Sequence, residues 1–346
     1  MLIFCVFSQD MKAQDIQYLS GFLSQNRKIA IIPHRNPDGD ALGASLGLYH
    51  TLQAVGHQVF VVSPNEFPDF LAWLPGSEHV MIFETNPEPC KTVLEEADLI
   101  FTLDFNAFHR TGNVMGPFLD SLTKNFVMID HHQMPDDYAK VTISDTSYGS
   151  TCELLYKFIK DLSLEKYLSK EAATCIYTGI VTDSGSFKFV KTTGDTHRTV
   201  AELIDLGVDN PKVHEQLFNT SSINRLHLLG RALEHLKVLP QHRVAYTYLS
   251  QKDLYEFNFQ KGDTEGIVNY GLSIKGIDFA AIFIENKEEG IIKISFRSEG
   301  NFDVNEFSRN HFNGGGHINA AGGKSFLTLT ETIQKFEEKL VEIQKQ

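Results

Sequence analysis

The chain has 346 residues, 42% of them hydrophobic and 22% charged, and a formal net charge of −13. It can bury a large core and exceeds the length at which single cores usually divide, so two domains are expected. The acidic balance argues against general binding to long nucleic acid, whose affinity comes from Lys and Arg neutralising many phosphates, but leaves room for a small phosphorylated substrate held by a local cluster.

The opening MLIFCVF is apolar, yet it has no basic flank and is too short for a secretory signal. No later segment approaches the run of about 18 apolar residues that crosses a bilayer, so the chain reads as soluble and cytoplasmic, with no membrane partner. Met11 starts an amphipathic helical pattern, MKAQDIQYLSGFLSQ, and the residues before it read either as an extension or as the product of an upstream start. Cys5, Cys90, Cys152 and Cys175 have no CxxC spacing and read as reduced, mostly packed thiols.

KIAIIP (28–33) reads as a buried strand, and ALGASLGLYHTLQAVG (41–56) as a helix with small residues on its packing face. HQVFVVSP is a second strand; a Pro-rich connection follows, then DLIFTLDF (98–105) and NFVMIDHH (125–132) as further strands. Strands alternating with helical patterns predict an α/β domain, a mainly parallel sheet flanked by helices. After Gly149, STCELLYKFIKDL, KEAATCIYTGIVTDSGSF and DTHRTVAELIDLGV read as helices, with Gly207 a C-cap of the third. A longer helix, SSINRLHLLGRALEHLKVL (221–239), is expected to end at Pro240. Beyond it RVAYTYLS, IDFAAIFIEN and GIIKISFRSEG read as strands, and VNEFSRNHF and TIQKFEEKLVEIQK as helices, of a smaller α+β domain. The expected organisation is therefore a first domain over 1–220, a connecting helix over 221–240 and a second domain over 241–346.

Chemistry-bearing residues follow the apolar elements. His34, Asp38 and Asp40 lie in HRNPDGDALGAS between a strand and a helix; Asp104 follows LIFTL; Asp130, His131 and His132 end NFVMI; Asp183 follows the apolar CIYTGIV. NPDGD alone is ordinary turn chemistry with an N-capping Asp. Two adjacent histidines after a buried strand are harder to explain by packing, and four such insertions are not expected to be unrelated caps. Open α/β sheets place ligands at the carboxyl ends of their strands, where these groups would meet. Asp38, Asp40, Asp104 and Asp183 would balance two divalent cations, and mixed carboxylate and imidazole ligation without thiolate suits Mn2+, with Mg2+, Fe2+ or Co2+ as alternatives. That chemistry points to metal-assisted hydrolysis of a phosphate ester.

The ordered set His34, Asp38, Asp40, Asp104, Asp130-His131-His132 and Asp183 resembles the DHH phosphoesterase superfamily, and GGGHINAAGG (314–323) resembles the signature of its DHH-associated substrate domain. The compact length is similar to that of the bacterial NrnA-like enzymes. The resemblance implies hydrolysis of short oligoribonucleotides, of linear dinucleotides such as pApA and of 3'-phosphoadenosine 5'-phosphate (pAp), and a connection to c-di-AMP turnover. It implies that His34, Asp38 and Asp104 hold one metal and that Asp40, Asp104, His131 and Asp183 hold the other. His132 would lie beside the reacting phosphate as an acid or a charge stabiliser, with Asp130 orienting a histidine. Arg297 matches a position that grips the terminal phosphate; Gly314, Gly315 and Gly316 would let backbone N–H groups approach a phosphate, and His317 would add a donor. Arg110 would either support the metal loop or touch substrate. The second domain would close over the metals, and a homodimer is the family expectation. A RecJ-like single-strand exonuclease and a family II inorganic pyrophosphatase share the metal motifs. The first brings further nucleic-acid domains, the second a C-terminal domain without GGGH. A non-catalytic nucleotide-binding protein is the alternative outside enzymes.

Overall fold

A computed structural model describes residues 11–343 of the chain; the apolar opening MLIFCVF, with Cys5, lies outside the described residues. The chain divides into two compact units after Thr220.

In the first unit the elements run α1 (Ala13–Leu23), β1 (Lys28–Pro33), α2 (Gly39–Val55), β2 (Gln58–Ser63), β3 (Met81–Ile82), α3 (Pro87–Glu96), β4 (Leu99–Leu103), α4 (Met115–Ser121), β5 (Phe126–Asp130) and β6 (Val141–Ser144). Four helices follow: α5 (Thr151–Asp161), α6 (Lys170–Asp183), α7 (Gly194–Asp205) and α8 (Asn210–Phe218). The six strands lie in the order β3-β2-β1-β4-β5-β6 with every pairing parallel. Strands β4 and β5 are buried at every residue, as continuous apolar runs covered on both faces must be. Ile29 and Ile31 of β1 pack with α1, α2, α5 and α6 on one face, while Ala30 and Ile32 pack with α3 and α4 on the other. The strand order reverses between β1 and β4, so their carboxyl ends open the crevice in which such sheets bind ligands. The Pro-rich connection contains α3, started by Pro87 in its first turn, and Gly207 takes the left-handed φ of 99° just past α7.

The pairing of α2 with α6 matters most for the site. A methyl group on Gly43 would lie 2.5 Å from the Cys175 carbonyl oxygen, one on Gly47 2.6 Å from Ile176, and one on Gly39 2.5 Å from the Thr182 hydroxyl. One on Gly179 would lie 2.2 Å from Cys152 Sγ. Glycine at four-residue spacing thus gives α2 a flat seam along which α6 runs antiparallel, and the carboxyl end of α6 arrives beside the amino end of α2. Gly43→Ala is expected to destabilise the protein by about 1–3 kcal/mol, because its new methyl group meets backbone rather than a movable side chain. Gly21→Ala on α1, where a methyl group meets nothing within 4 Å, is expected to stabilise slightly. Scanning calorimetry of the two variants checks the opposite signs.

The second unit contains α9 (Ile223–Glu234), β7 (Lys237–Leu239), β8 (Val244–Leu249), α10 (Gln251–Glu256), α11 (Asn269–Leu272), β9 (Phe279–Asn286), β10 (Ile291–Ser298), α12 (Val304–His311), β11 (Gly315–His317), β12 (Ala320–Ser325) and α13 (Leu329–Ile343). Its six strands lie in the order β11-β12-β10-β9-β8-β7; β8 and β9 are parallel and the other pairs antiparallel. The helix expected to reach Leu239 ends instead at Glu234, and Lys237–Leu239 pairs with Val244–Tyr246 as an edge strand. Tertiary pairing overrides the helical pattern there, because extended Lys237–Leu239 satisfies the edge of β8. Leu228 and Ala232 of α9 pack against Leu249, Leu254 and Ile267, which makes this helix part of the second unit's own core. The opposite face of the sheet carries an aromatic core of Tyr246, Phe279, Phe283, Phe296, Phe307, Phe312 and Phe336. Among the described residues no helix is long and apolar enough to cross a membrane.

Candidate active site

Asp38 caps α2: its Oδ1 accepts hydrogen bonds from the Asp40 and Ala41 amides at 3.0 and 3.1 Å. Its Oδ2 lies 3.9 Å from His34 Nε2. The turn-and-cap reading of NPDGD thus uses one carboxylate oxygen of Asp38 and leaves the other facing His34. Contact of His34 Nδ1 with the Arg35 carbonyl at 2.9 Å places the ring proton there and leaves Nε2 as the lone-pair nitrogen, 3.4 Å from Asp104 Oδ2. Asp40 turns the other way, accepting from the Thr151 amide at 2.6 Å and the Cys152 amide at 2.8 Å. These are the first amides of α5, which have no partner inside their own helix and favour an anion.

Asp104 follows β4 with φ 66°, a left-handed conformation that Asp tolerates better than most side chains. Thr151 Oγ1 donates to its Oδ1 at 2.8 Å. His131, just past β5, holds Nδ1 3.3 Å from the Tyr148 carbonyl and Nε2 3.5 Å from Asp104 Oδ1, 3.4 Å from Asp183 Oδ2 and 3.9 Å from Asp40 Oδ2. Asp183 is the last residue of α6, so it reaches the site from a helix end and not from the sheet edge. In the first unit the groups whose ligand atoms lie within 4.8 Å of one another include His34 with Asp38 and Asp104, Asp40 with Asp104 and His131, and Asp104 with Asp130 and His132; the first two combine carboxylates and imidazoles in the way the sequence led one to expect. Asp104 belongs to both.

Burial raises the Asp40 carboxyl to about 7, with the charge of Asp38 adding to the effect against the backbone amides of Cys152 and Thr151. Burial, then the neighbouring carboxylates, push Asp104 and Asp183 well above the ordinary range. Among the described residues none of Asp38, Asp40, Asp104 and Asp183 makes an ion pair with Lys or Arg; their partners are histidines. Carboxylates gathered without a Lys or Arg ion pair among the described residues, beside imidazole nitrogens, fit hard divalent cations. Cys152 lies close by, but burial raises its thiol far above the usual range and keeps it protonated, which leaves the donor set as oxygen and nitrogen.

His132 Nδ1 lies 2.6 Å from Asp130 Oδ1, within a fully buried carboxylate's reach, so Asp130 orients this ring. Burial pushes the His132 imidazole down to about 3, helped by the positive charges of Arg110, His34 and Lys191 and opposed by Asp38. The Arg110 carbonyl accepts from the Arg35 amide at 2.9 Å, tying the Asp104 loop to the His34 loop. Its guanidinium makes no hydrogen bond or ion pair among the described residues.

In the second unit Arg297 lies on β10 and His317 on β11, and both pair in register with Ala320 of β12. Directly paired residues share a sheet face, and this one is opposite the face that buries Phe296 and Ala321. Ala320 thus stands in register between Arg297 and His317. GGGH is an edge hairpin and not an open loop. A methyl group on Gly314 would lie 1.9 Å from the Gly322 carbonyl oxygen, Gly316 has φ 155°, and the Gly316 amide donates to Asn305 Oδ1 at 2.9 Å. Close strand packing accounts for Gly314 and Gly316, and a methyl group on Gly315 would meet Arg309 at 3.6 Å.

Sequence reasoning passed over Thr151, the Cys152 amide, Tyr148 and Lys191. The first two carried a readable signal, a Ser150 N-cap starting a helix whose first amides need an acceptor. The others did not, because carbonyl acceptors and loop lysines have no local signature.

A model of the DHH family, N-terminal domain, matches residues 28–180, and one of the DHHA1 domain matches residues 241–346. A bifunctional oligoribonuclease and PAP phosphatase NrnA of Thermus thermophilus is 31% identical over 298 residues, covering 85% of this chain and 83% of the relative. The crystal structure of an exopolyphosphatase-related protein from Bacteroides fragilis superposes with a TM-score of 0.92 at 38% identity, covering 97% of this chain and 98% of the other. RecJ of Thermus thermophilus shares the fold at a TM-score of 0.54 and 15% identity, with 97% of this chain covering 55% of that one.

Proposed function

This chain belongs to the DHH family, its DHH domain followed by a DHHA1 domain, and from that premise we propose that it is a metal-dependent phosphoesterase of short nucleotides. It hydrolyses short oligoribonucleotides and linear dinucleotides such as pApA, and removes the 3'-phosphate of pAp, releasing nucleoside monophosphates. The observation that carries this reading is the pair of carboxylate–imidazole clusters sharing Asp104, whose carboxylates make no ion pair with Lys or Arg among the described residues.

His34, Asp38 and Asp104 would hold one cation, and Asp40, Asp104, His131 and Asp183 a second, with Mn2+ the ion best suited to the donors. When bound, the cations supply activation of water and neutralisation of phosphate charge. The chain's own groups do the rest. Thr151 and the α5 amides hold Asp104 and Asp40 in place before substrate arrives. His132, its Nδ1 tied to Asp130, presents Nε2 to the reacting phosphate; an arriving anion favours its protonation, after which it can donate to the leaving oxygen. Arg110 offers an unengaged guanidinium to the same phosphate. Arg297 and His317, in register on the second unit's sheet, would bind the terminal phosphate of the substrate, with the GGGH hairpin setting the position of His317. Cys90, Cys152 and Cys175 are free and buried, which fits a cytoplasmic enzyme.

The test is a Mn2+-dependent assay of pApA, pAp, a five-nucleotide RNA, a long single-stranded RNA and pyrophosphate, at equal phosphate concentration. AMP release from pApA and pAp, with short RNA preferred to long, is expected. Preference for the long strand would make the chain RecJ-like, and dominant pyrophosphate turnover would make it a pyrophosphatase. Binding of pApA without AMP release would leave a nucleotide-binding protein.

A further inference from the structure

We propose that Lys191 is a further substrate-binding residue, which holds a scissile phosphate bearing no second ester and so favours terminal phosphomonoesters over phosphodiesters. This rests on the function proposed above.

Lys191 lies eight residues beyond Asp183, on the segment joining α6 to α7. The chain turns back there, with the Thr192 amide donating to the Phe189 carbonyl at 2.9 Å. The turn sets Lys191 against Gly149: a methyl group on that glycine would lie 3.6 Å from the Lys191 carbonyl oxygen and 3.7 Å from its Cβ. Gly149 sits between Tyr148, whose carbonyl meets His131, and Ser150-Thr151, which begin α5 and hold Asp40 and Asp104. Lys191 therefore stands on the wall of the metal site.

Its side chain is half-buried. Among the described residues its ammonium makes no hydrogen bond and no ion pair. Asp183 and Asp145 feel its charge, as does His132, and burial draws its own pKa down despite the two carboxylates. A partly desolvated ammonium without a hydrogen-bonding partner is a costly arrangement that an anion relieves. Asp183, the carboxylate that acts most strongly on Lys191, is engaged with His131 at 3.4 Å. Phosphate is the anion that the proposed function brings to the site, and Arg110, from the Asp104 loop, acts on His132 as Lys191 does.

The preference follows from charge. A terminal phosphate ester carries about −1.5 to −2 at neutral pH, whereas an internal diester carries a single negative charge. A cation placed at the reacting phosphate gains more from the former. pAp and pApA share a 5'-phosphorylated adenosine, so groups that hold that part act equally on both; the two differ in the charge of the scissile phosphate and in the second adenosine that pApA alone carries beyond it.

The experiment measures kcat/KM for pAp and pApA in the wild type, Lys191→Ala and Lys191→Arg, together with Mn2+ binding by calorimetry. Lys191→Ala is expected to lose about tenfold more on pAp than on pApA, a difference well inside what one nearby charge supplies. No weakening of Mn2+ binding should accompany it, and Lys191→Arg should restore most of the pAp activity. Equal losses on the two substrates, unchanged kinetics, or weakened Mn2+ binding would each overturn the proposal. A wild type that cleaves neither substrate defeats the proposed function itself, a result read before any variant is made.

Discussion

Asp104→Asn is expected to abolish Mn2+-dependent cleavage of pApA while making the metal-free protein more stable. Asp104 is the one carboxylate common to both clusters, so its charge serves both cation positions. The loss in kcat should exceed the about 10²–10³-fold that follows removal of a single electrostatic donor. The opposite sign for stability comes from the repulsion that raises its pKa, caused by burial and then by Asp40, Asp38 and Asp130. Asparagine removes that charge, keeps an acceptor oxygen for Thr151 and tolerates the left-handed backbone, where alanine would add about 1–2 kcal/mol of strain. AMP release and calorimetry with and without Mn2+ check both halves. A variant that keeps a tenth of wild-type kcat would refute the shared-ligand role.

Metal-free protein is expected to lose stability as pH rises, and the thermal shift produced by Mn2+ is expected to grow over the same range. In the folded chain Asp40 titrates at about 7 against an ordinary 3.8, and Asp104 and Asp183 are displaced in the same direction. The folded state therefore binds more protons than the unfolded state between those values, so the contribution of Asp40 falls from about pH 4 to about pH 7, and Asp104 and Asp183 add a loss of the same sign as pH rises above the ordinary carboxylate range. For Asp40 alone the change is on the order of 4 kcal/mol. In a domain of this size each kcal/mol moves the midpoint by about 2–4 °C. Divalent cations replace the protons and cancel the penalty, so chelation should cost more at pH 8 than at pH 5. Melting curves with EDTA and with Mn2+ across this range decide it; a flat metal-free profile with a constant Mn2+ shift would count against a buried, unneutralised cluster.

The strands were legible because parallel, doubly covered strands are written as continuous apolar runs, KIAIIP and LIFTL among them, with the polar change marking their ends. His34, Asp38, Asp104 and His131 follow directly from those ends, and the structure brings them together at the point where the strand order reverses. Asp183 was legible as a residue but not as a helix end, since its position depends on glycines about 140 residues away in α2. The Asp40 carboxylate was legible while its amide donors on α5 were not, because that pairing spans 111 and 112 residues. Residues 237–239 defeated the helical pattern for the same reason: an edge strand exists only where a neighbour is waiting.

The glycine seam gives the site jaws of unequal stiffness. The loops bearing His34, Asp104 and His131 leave strands bonded into one sheet and move only as that sheet moves. Asp183 rides on a helix held to α2 by close contact along Gly39, Gly43 and Gly47, an arrangement in which a small separation meets no hydrogen-bond ladder. A substitution that widens this seam, such as Gly43→Ala, is therefore expected to draw Asp183 away from His131 and lower activity while the sheet stays intact, which activity and circular dichroism measured together check.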